Sequence, residues 1–477
     1  MSESLRVLGV ETENGTQATE YLDWSETRGK YLDELIEFLR MPTVSARGDM
    51  EPMKAAADWL VRRLQSLGAQ TQILESSGFP IVYGEIKGDS SRSILFYNHY
   101  DVQPPEPYEA WNSDPFEPTI RDGYLFARGS DDNKGSLMSR IHAVEAILKE
   151  RGSLPVTVKF LFEGEEESGS ASLPGTVQRY KDLLAADACI WENARRDDAG
   201  NPSVALGNKG MYSFEMRVRT ANTDSHSGKA NIYPNAIWRL IWALSSLRGS
   251  DGTILVDGFY DGVPPLSQAD EELCRSTPAN GEAQARKLGL TELMSGNDNL
   301  SVNRALYYTP SFNIQGISGG YTGPGHKTVI PSEAFARIEC RLVGNQDPED
   351  IAGKITRQLE KNGYSDVEII SKKAGAWPYR TAVDHPFVQL VSRAGAEVYG
   401  RPIVLMPSSP GTGPRYVFKY VPNMPIVALG VGHANSRAHA PNENIAVEDQ
   451  FLTTKHVASI LRHFGDADNS GDVERNK

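Results

Sequence analysis

Four short apolar runs in this chain each end on side chains that can bind a metal ion, and this pattern constrains the fold more than any other feature. Ile94-Leu95-Phe96-Tyr97 leads into Asn98-His99-Tyr100-Asp101, and Val156 to Phe162 leads into Glu163-Gly164-Glu165-Glu166-Glu167. Ala188-Cys189-Ile190 leads into Trp191-Glu192, and Ile426 to Leu429 leads into a loop that reaches His439. Runs this short and apolar read as strands buried on both faces, the habit of parallel sheets. Open α/β sheets bind ligands beyond the carboxyl ends of their strands. His, Asp and Glu gathered along that edge are best explained by a metal.

Between these strands, helix stripes recur. Tyr31, Leu32, Leu35, Ile36 and Leu39 share one face, a second helix is expected over 52–67 before Gly68, and a third over 135–150. The pattern changes near Lys209. Met211–Thr220 alternates like a half-exposed strand, a helix follows over 234–247, and strands are expected over 311–315, 334–342 and 367–370 with a helix over 348–361. That βαββαβ order is ferredoxin-like. Residues 386–399 and 426–429 return to the α/β style, and a final helix is expected over 447–463. The expected fold is therefore α/β. A mainly parallel-sheet domain with helices on both faces is formed by 1–208 and 379–477, and an α+β domain over 209–378 is inserted into it.

Composition excludes several classes. Net charge is −13, from 49 basic and 62 acidic side chains, which opposes nucleic-acid binding. No apolar run approaches the roughly 20 residues that span a membrane. Residues 1–24 read as a polar, loosely ordered leader without a secretion signal, and the tail after Gly465 as frayed. Cys189, Cys274 and Cys340 are widely spaced, so a disulfide framework is not expected and a reducing cytoplasm is the default.

The individual candidates carry different weight. His99 and Asp101 lie two apart, so His99 can bind metal through one ring nitrogen while Asp101 accepts the other ring N–H. An isolated H-x-D is more often a surface His beside a surface Asp. Asp131-Asp132 in a glycine-flanked loop before a helix suits a helix cap, and equally a carboxylate bridging two cations. In Glu165-Glu166-Glu167, one carboxylate can bind metal while a neighbour acts as a base, although a solvated acidic loop is the plain alternative. Glu192 completes the strand-end set, and His433 and His439 compete for the last position. His142, His385, His456 and His463 read as packed or solvated. Trp238 and Trp242, at i,i+4, read as core or interface.

Taken together, several strings resemble the M20 family of two-metal peptidases and amidohydrolases, most closely its carnosinase and cytosolic non-specific dipeptidase branch. They are His99-Tyr100-Asp101-Val102, Gly129 to Gly135, Glu166-Glu167-Ser168-Gly169, Ala438-His439-x-x-Asn442-Glu443, Ser225-His226-Ser227-Gly228 and Lys327-Thr328-Val329-Ile330-Pro331. They follow the family's order from about residue 28 to 464. The resemblance implies that Asp132 bridges two metal ions, that His99 and Glu192 complete one site, and that Glu167 and His439 complete the other. It makes Glu166 the general base and Asp101 the residue that orients His99. It further implies that the inserted domain is a lid and dimerisation domain, whose His226 and Thr328 complete a partner subunit's site. Arg341 and Thr412 match groups that hold a substrate carboxylate. Two departures stand out: Thr412 lies in Pro410-Gly411-Thr412-Gly413-Pro414 instead of a Gly-Gly-Ser-type turn, and Glu192 stands where dipeptidases usually carry Asp.

The expected function is hydrolysis of an amide bond next to a free carboxylate, of dipeptidase or carboxypeptidase type. The expected cofactors are two divalent ions per chain, zinc by ligand chemistry with manganese or cobalt as substitutes. Its alternatives are an N-acyl-amino-acid deacylase and a non-catalytic binding protein on the same fold. A homodimer acting on a small peptide or N-acyl amino acid, with neither nucleic acid nor membrane as partner, completes the expectation.

Overall fold

The computed structural model describes residues 20–466 except 24, 198, 373–374, 410 and 422. Most of the expected leader, the tail beyond 466 and Pro410 of the Thr412 turn lie outside the described residues. The chain forms two compact units. One comprises the residues up to Leu206, Thr381–Met406 and those from Val417 onward; the other comprises Gly207–Arg380 and Pro407–Tyr416.

The first unit is built on an eight-stranded sheet: β1 (Gln70–Leu74), β2 (Ile81–Ile86), β3 (Ser93–His99), β4 (Thr157–Glu163), β5 (Ala188–Trp191), β6 (Ser203–Ala205), β7 (Val404–Met406) and β8 (Ile426–Ala428). Their order is β1-β2-β4-β3-β5-β8-β6-β7. The β4–β3, β3–β5, β5–β8 and β6–β7 pairs are parallel. The pairs β1–β2, β2–β4 and β8–β6 are antiparallel. Every residue of β4 is buried, which is why that strand reads as continuously apolar instead of alternating.

Helix Met50–Gln65 starts where the Asp49 side chain accepts the Glu51 N–H, a cap of about 1 kcal/mol. Helix Pro386–Tyr399 starts on a proline, whose missing N–H costs nothing at that position. Helix Gly135–Arg151 is buried on all sides over Gly135–Ile147. Gln450, from helix Val447–Asp466, donates to the Gly135 carbonyl at 3.0 Å.

The second unit carries an antiparallel sheet in the order Ser311–Gly319, Glu333–Leu342, Gly210–Arg219, Val367–Lys372. Helices Ala236–Ser245 and Pro348–Lys361 complete the βαββαβ sequence of a ferredoxin-like sandwich. Met216, Val218, Leu240, Ala243, Ile338, Ile351 and Ile355 form part of its core. Residues 407–416 group with this unit and not, as the sequence suggests, with the first. The cause is backbone pairing: Ser409 N–H donates to Gly207 O at 2.8 Å, and Lys209 N–H to Gly411 O at 3.1 Å.

Candidate metal centre

The register of the parallel sheet assembles the site. His99 ends β3 directly opposite Glu163 at the end of β4, so the acidic turn that follows β4 begins beside the imidazole. Asp101 then ties the two strand ends together. Its carboxylate accepts the Glu166 N–H at 3.1 Å and the Glu167 N–H at 3.0 Å. The same carboxylate lies 3.3 Å from His99 Nδ1, which is also 3.1 Å from the Asp101 carbonyl.

Asp132 stands at the centre. Its Oδ1 is 3.2 Å from His99 Nε2, and its Oδ2 is 3.2 Å from His439 Nε2. Glu167 Oε2 is 3.2 Å from His439 Nε2, and Glu192 Oε2 is 3.9 Å from His99 Nε2. One potential ligand atom each from His99, Asp132 and Glu167 falls within 4.8 Å of the others.

The electrostatics show how much charge this edge holds. Burial pushes the Glu166 carboxyl well above its usual range, and the charges of Glu192, Glu167 and Asp132 add to the effect. Burial also works against ionisation of Asp132, but hydrogen bonds with His439 and His99 hold its carboxyl well below the ordinary value. Those bonds with Asp132 and Glu167 raise His439 to about 10. His99 is likewise raised: burial opposes its charge, while Asp101 and Asp132 favour it.

These residues fit a divalent cation. Nitrogen and oxygen ligands at about 2.0–2.1 Å in a tetrahedron lie roughly 3.3 Å apart, close to the three 3.2 Å separations around Asp132 and His439. Glu167 Oε1 is buried without a hydrogen-bond partner, an atom whose burial a cation would offset. The donors are oxygen and nitrogen without a thiolate, which suits zinc, manganese or cobalt.

The structure also separates what the sequence left open. In the acidic run, Glu163 accepts the Tyr97 hydroxyl proton and Glu165 accepts the Ser172 N–H, leaving Glu166 and Glu167 at the cluster. His433 spends its nitrogens locally, 3.1 Å from Asn444 Oδ1 and 3.2 Å from the Asn435 N–H. His439 instead reaches Asp132 and Glu167, from a loop in which Arg437, His439 and Asn442 all adopt positive φ.

Several supporting residues were not assigned a role from sequence. Glu443 is fully buried and accepts from Arg128 Nη1 at 2.8 Å and from the Gly129, Asp131 and Asp132 N–H groups at 2.9 Å each. It thereby clamps the loop that carries Asp132. Asn133 and Arg140 donate to the Glu192 carbonyl at 3.1 and 3.3 Å, and Gln103 donates to Glu167 Oε2 at 2.9 Å. Glu443 stands next to Asn442 in the motif that contains His439, which was the one signal available.

In the second unit, two pairs of expected substrate residues come together. Ser225–His226 pairs with Val329–Ile330, and Ser227 N–H donates to Thr328 O at 3.2 Å. Both His226 and Thr328 are exposed. Arg341 Nη1 donates to Thr412 Oγ1 at 2.7 Å, while its Nε donates to Glu339 at 2.7 Å. Trp238 and Trp242, 55% and 54% exposed, stack at 5.9 Å on helix Ala236–Ser245. They are therefore not core.

A mainly parallel sheet that carries two imidazoles and a set of half-buried carboxylates past its strand ends is the arrangement of a metal-dependent hydrolase. The chain belongs to peptidase family M20/M25/M40, whose model matches residues 95–463, and it is a peptidase. It is 29% identical to the β-Ala-His dipeptidase of Homo sapiens over 395 residues, 80% of this chain and 77% of that protein. It is 26% identical to a Cys-Gly metallodipeptidase of Schizosaccharomyces pombe, covering 89% of this chain and 93% of that protein. Among solved structures, an M20 family metallo-carboxypeptidase from Sulfolobus solfataricus superposes with a TM-score of 0.80 at 35% identity, covering 91% of this chain and 99% of the other.

Proposed function

We propose that this chain is a two-metal dipeptidase that cleaves a peptide bond next to a free carboxylate, with Glu166 as general base. The observation that carries the reading is Asp132, whose two carboxylate oxygens face one imidazole each at 3.2 Å. His99 and Glu192 would hold one ion, Glu167 and His439 the other, and Asp132 both. When bound, such ions would polarise a scissile carbonyl and make the attacking water more acidic.

The protein's own groups do the rest. Asp101 fixes the His99 ring and, through the Glu166 and Glu167 N–H groups, the backbone of the acidic turn. Glu166, whose carboxyl is raised by burial and by its acidic neighbours, takes the proton from the attacking water and passes it to the leaving amine. The Arg341–Thr412 pair supplies hydrogen-bond donors for the substrate's terminal carboxylate. His226 and Thr328 serve the site of a partner subunit, with His226 donating to the developing oxyanion, a type of interaction worth about 3–4 kcal/mol.

The relatives' names, β-Ala-His dipeptidase and Cys-Gly metallodipeptidase, support a dipeptide substrate. Exposed Trp238, Ile241 and Trp242, together with Ile314 and Ile317 on the strand at one edge of the second sheet, support a homodimer. The three buried cysteines form no disulfide among the described residues, which supports a reducing, cytoplasmic setting, and no helix among the described residues is long and apolar enough to cross a membrane.

Glu166→Gln tests the central role. Dipeptide hydrolysis falls by orders of magnitude while the protein still binds two ions per chain. Loss of metal in Glu166→Gln with retention in Glu167→Gln would reverse the two assignments. Faster turnover of N-acetyl or N-succinyl amino acids than of any dipeptide would make the enzyme a deacylase.

A further inference from the structure

A cation besides the histidines also approaches the ligand carboxylates. Arg195 lies three positions after Glu192. Its Nε donates to Asp131 Oδ2 at 2.9 Å, and its Nη2 is 3.9 Å from Asp132 Oδ2. That is the same Asp132 oxygen that His439 approaches at 3.2 Å. The Arg195 side chain is 44% exposed and that of His439 is 53% exposed, so both stand on the open side of the cluster.

The arginine is held there by construction. Its Cγ lies 2.5 Å from where a Cβ on Gly432 would be, and Asp131 Oδ1 lies 2.3 Å from the same point. Only glycine at 432 leaves room for the Arg195 stem against Asp131. The Arg195 carbonyl is further fixed by the Ser203 hydroxyl. Asp131, fully buried, anchors one edge of the guanidinium through Nε. Neither Nη makes a hydrogen bond to a described residue. An anchored, half-exposed guanidinium with unused donors is suited to binding a carboxylate.

We propose that Arg195 is a specificity residue that binds an acidic side chain on the residue contributing the scissile carbonyl, so that the enzyme prefers peptides beginning with glutamate or aspartate. This rests on the dipeptidase reading, in which Arg341 and Thr412 take the terminal carboxylate. The anion left for Arg195 is then a second one, close to the ligand set. A side-chain carboxylate three or four bonds from the scissile carbonyl carbon meets that requirement.

The test contrasts two isosteric peptides, Glu-Leu and Gln-Leu. Their binding to the Glu166→Gln protein loaded with zinc is measured by calorimetry, and their hydrolysis by the wild type is measured in parallel. Glu-Leu should bind about tenfold or more tightly, as expected for one charge-assisted contact. Arg195→Gln in the same background should abolish the difference at unchanged metal content, and Arg195→Lys should restore part of it. Equal affinities in the parent protein, a preference that survives Arg195→Gln, or binding of neither peptide would each overturn the proposal. Uniform weakening with loss of metal would do so too, leaving Arg195 a merely structural neighbour of Asp131. Binding discrimination without hydrolysis of either peptide by the wild type would keep the Arg195 contact and sink the dipeptidase reading instead.

Discussion

Replacing Glu443 with glutamine leaves the size of the side chain almost unchanged and removes the charge that holds the Asp132 loop. Glu443 Oε2 accepts from Arg128 Nη1 and Gly129 N–H, and Oε1 accepts from the N–H groups of Asp131 and Asp132. Four donors converge on one group, so it must be acceptor-only, which among its forms only the carboxylate is. Glutamine replaces one acceptor oxygen with an NH2 group that can only donate, so two of the four partners lose their acceptor. Each buried donor left unsatisfied costs about 1–3 kcal/mol. Arg128, only 1% exposed, also loses its buried counter-charge, and breaking such a pair costs about 3–5 kcal/mol. The two costs describe overlapping contacts, so Glu443→Gln should lower the unfolding free energy by about 3–5 kcal/mol. Because the Asp132 N–H is one of the released donors, metal affinity should fall about 10- to 100-fold, as when a group supporting a ligand is removed. Denaturant unfolding of the chelated protein reads the first effect, and competitive metal titration reads the second. A variant within about 1 kcal/mol of wild type with unchanged metal affinity would refute the claim that these hydrogen bonds hold the loop.

Chelation exposes a second dependence. Without metal, Asp132 and Glu167 raise His439 from 6.5 to about 10. Its contribution to stability is then complete below about pH 6.5 and lost as pH rises towards 10. The Tm of the chelated protein should therefore fall across that window while the loaded protein changes less; parallel profiles would count against the His439 contacts. Glu34 behaves oppositely. Burial favours its neutral form, but His142, Arg63 and Lys30 hold it at about 2 against 4.5, so its stabilising effect is lost as pH falls from about 4.5 to about 2. The stability gap between wild type and Glu34→Gln should close over that range, and a constant gap would refute the assignment. The shared-site reading predicts that inactive His226→Ala and Glu166→Gln proteins, mixed with subunit exchange, recover roughly a quarter of wild-type activity, since one of the two sites in a mixed dimer carries neither defect. No recovery despite proven exchange would confine His226 to its own chain or to no site.

Much of the fold is local chemistry, and the sequence alone determines it. The apolar runs of β3, β4 and β5 declare buried strands because only a strand covered on both faces tolerates so many consecutive apolar side chains. Helix Pro386–Tyr399 runs from its proline to the residue before Gly400, as its end signals require. The strand-end carboxylates and imidazoles are likewise legible, since the carboxyl edge of such a sheet is where ligands bind.

Selection among chemically equivalent residues was not legible locally. His433 and His439 share one loop, and nothing within it separates them; Asn444 and Asn435 occupy one, while Asp132 and Glu167 meet the other. Glu163 and Glu165 leave the acidic run available to Glu166 and Glu167 only because Tyr97 and Ser172 fold back to meet them. Glu443 clamps a loop more than 300 positions away in the chain, and the Arg195 stem depends on the absence of a side chain at Gly432. Hydrophobic periodicity is written in neighbouring residues. A polar side chain, by contrast, takes its role from whichever partner the completed fold brings within about 3 Å, and that partner can come from anywhere in the sequence.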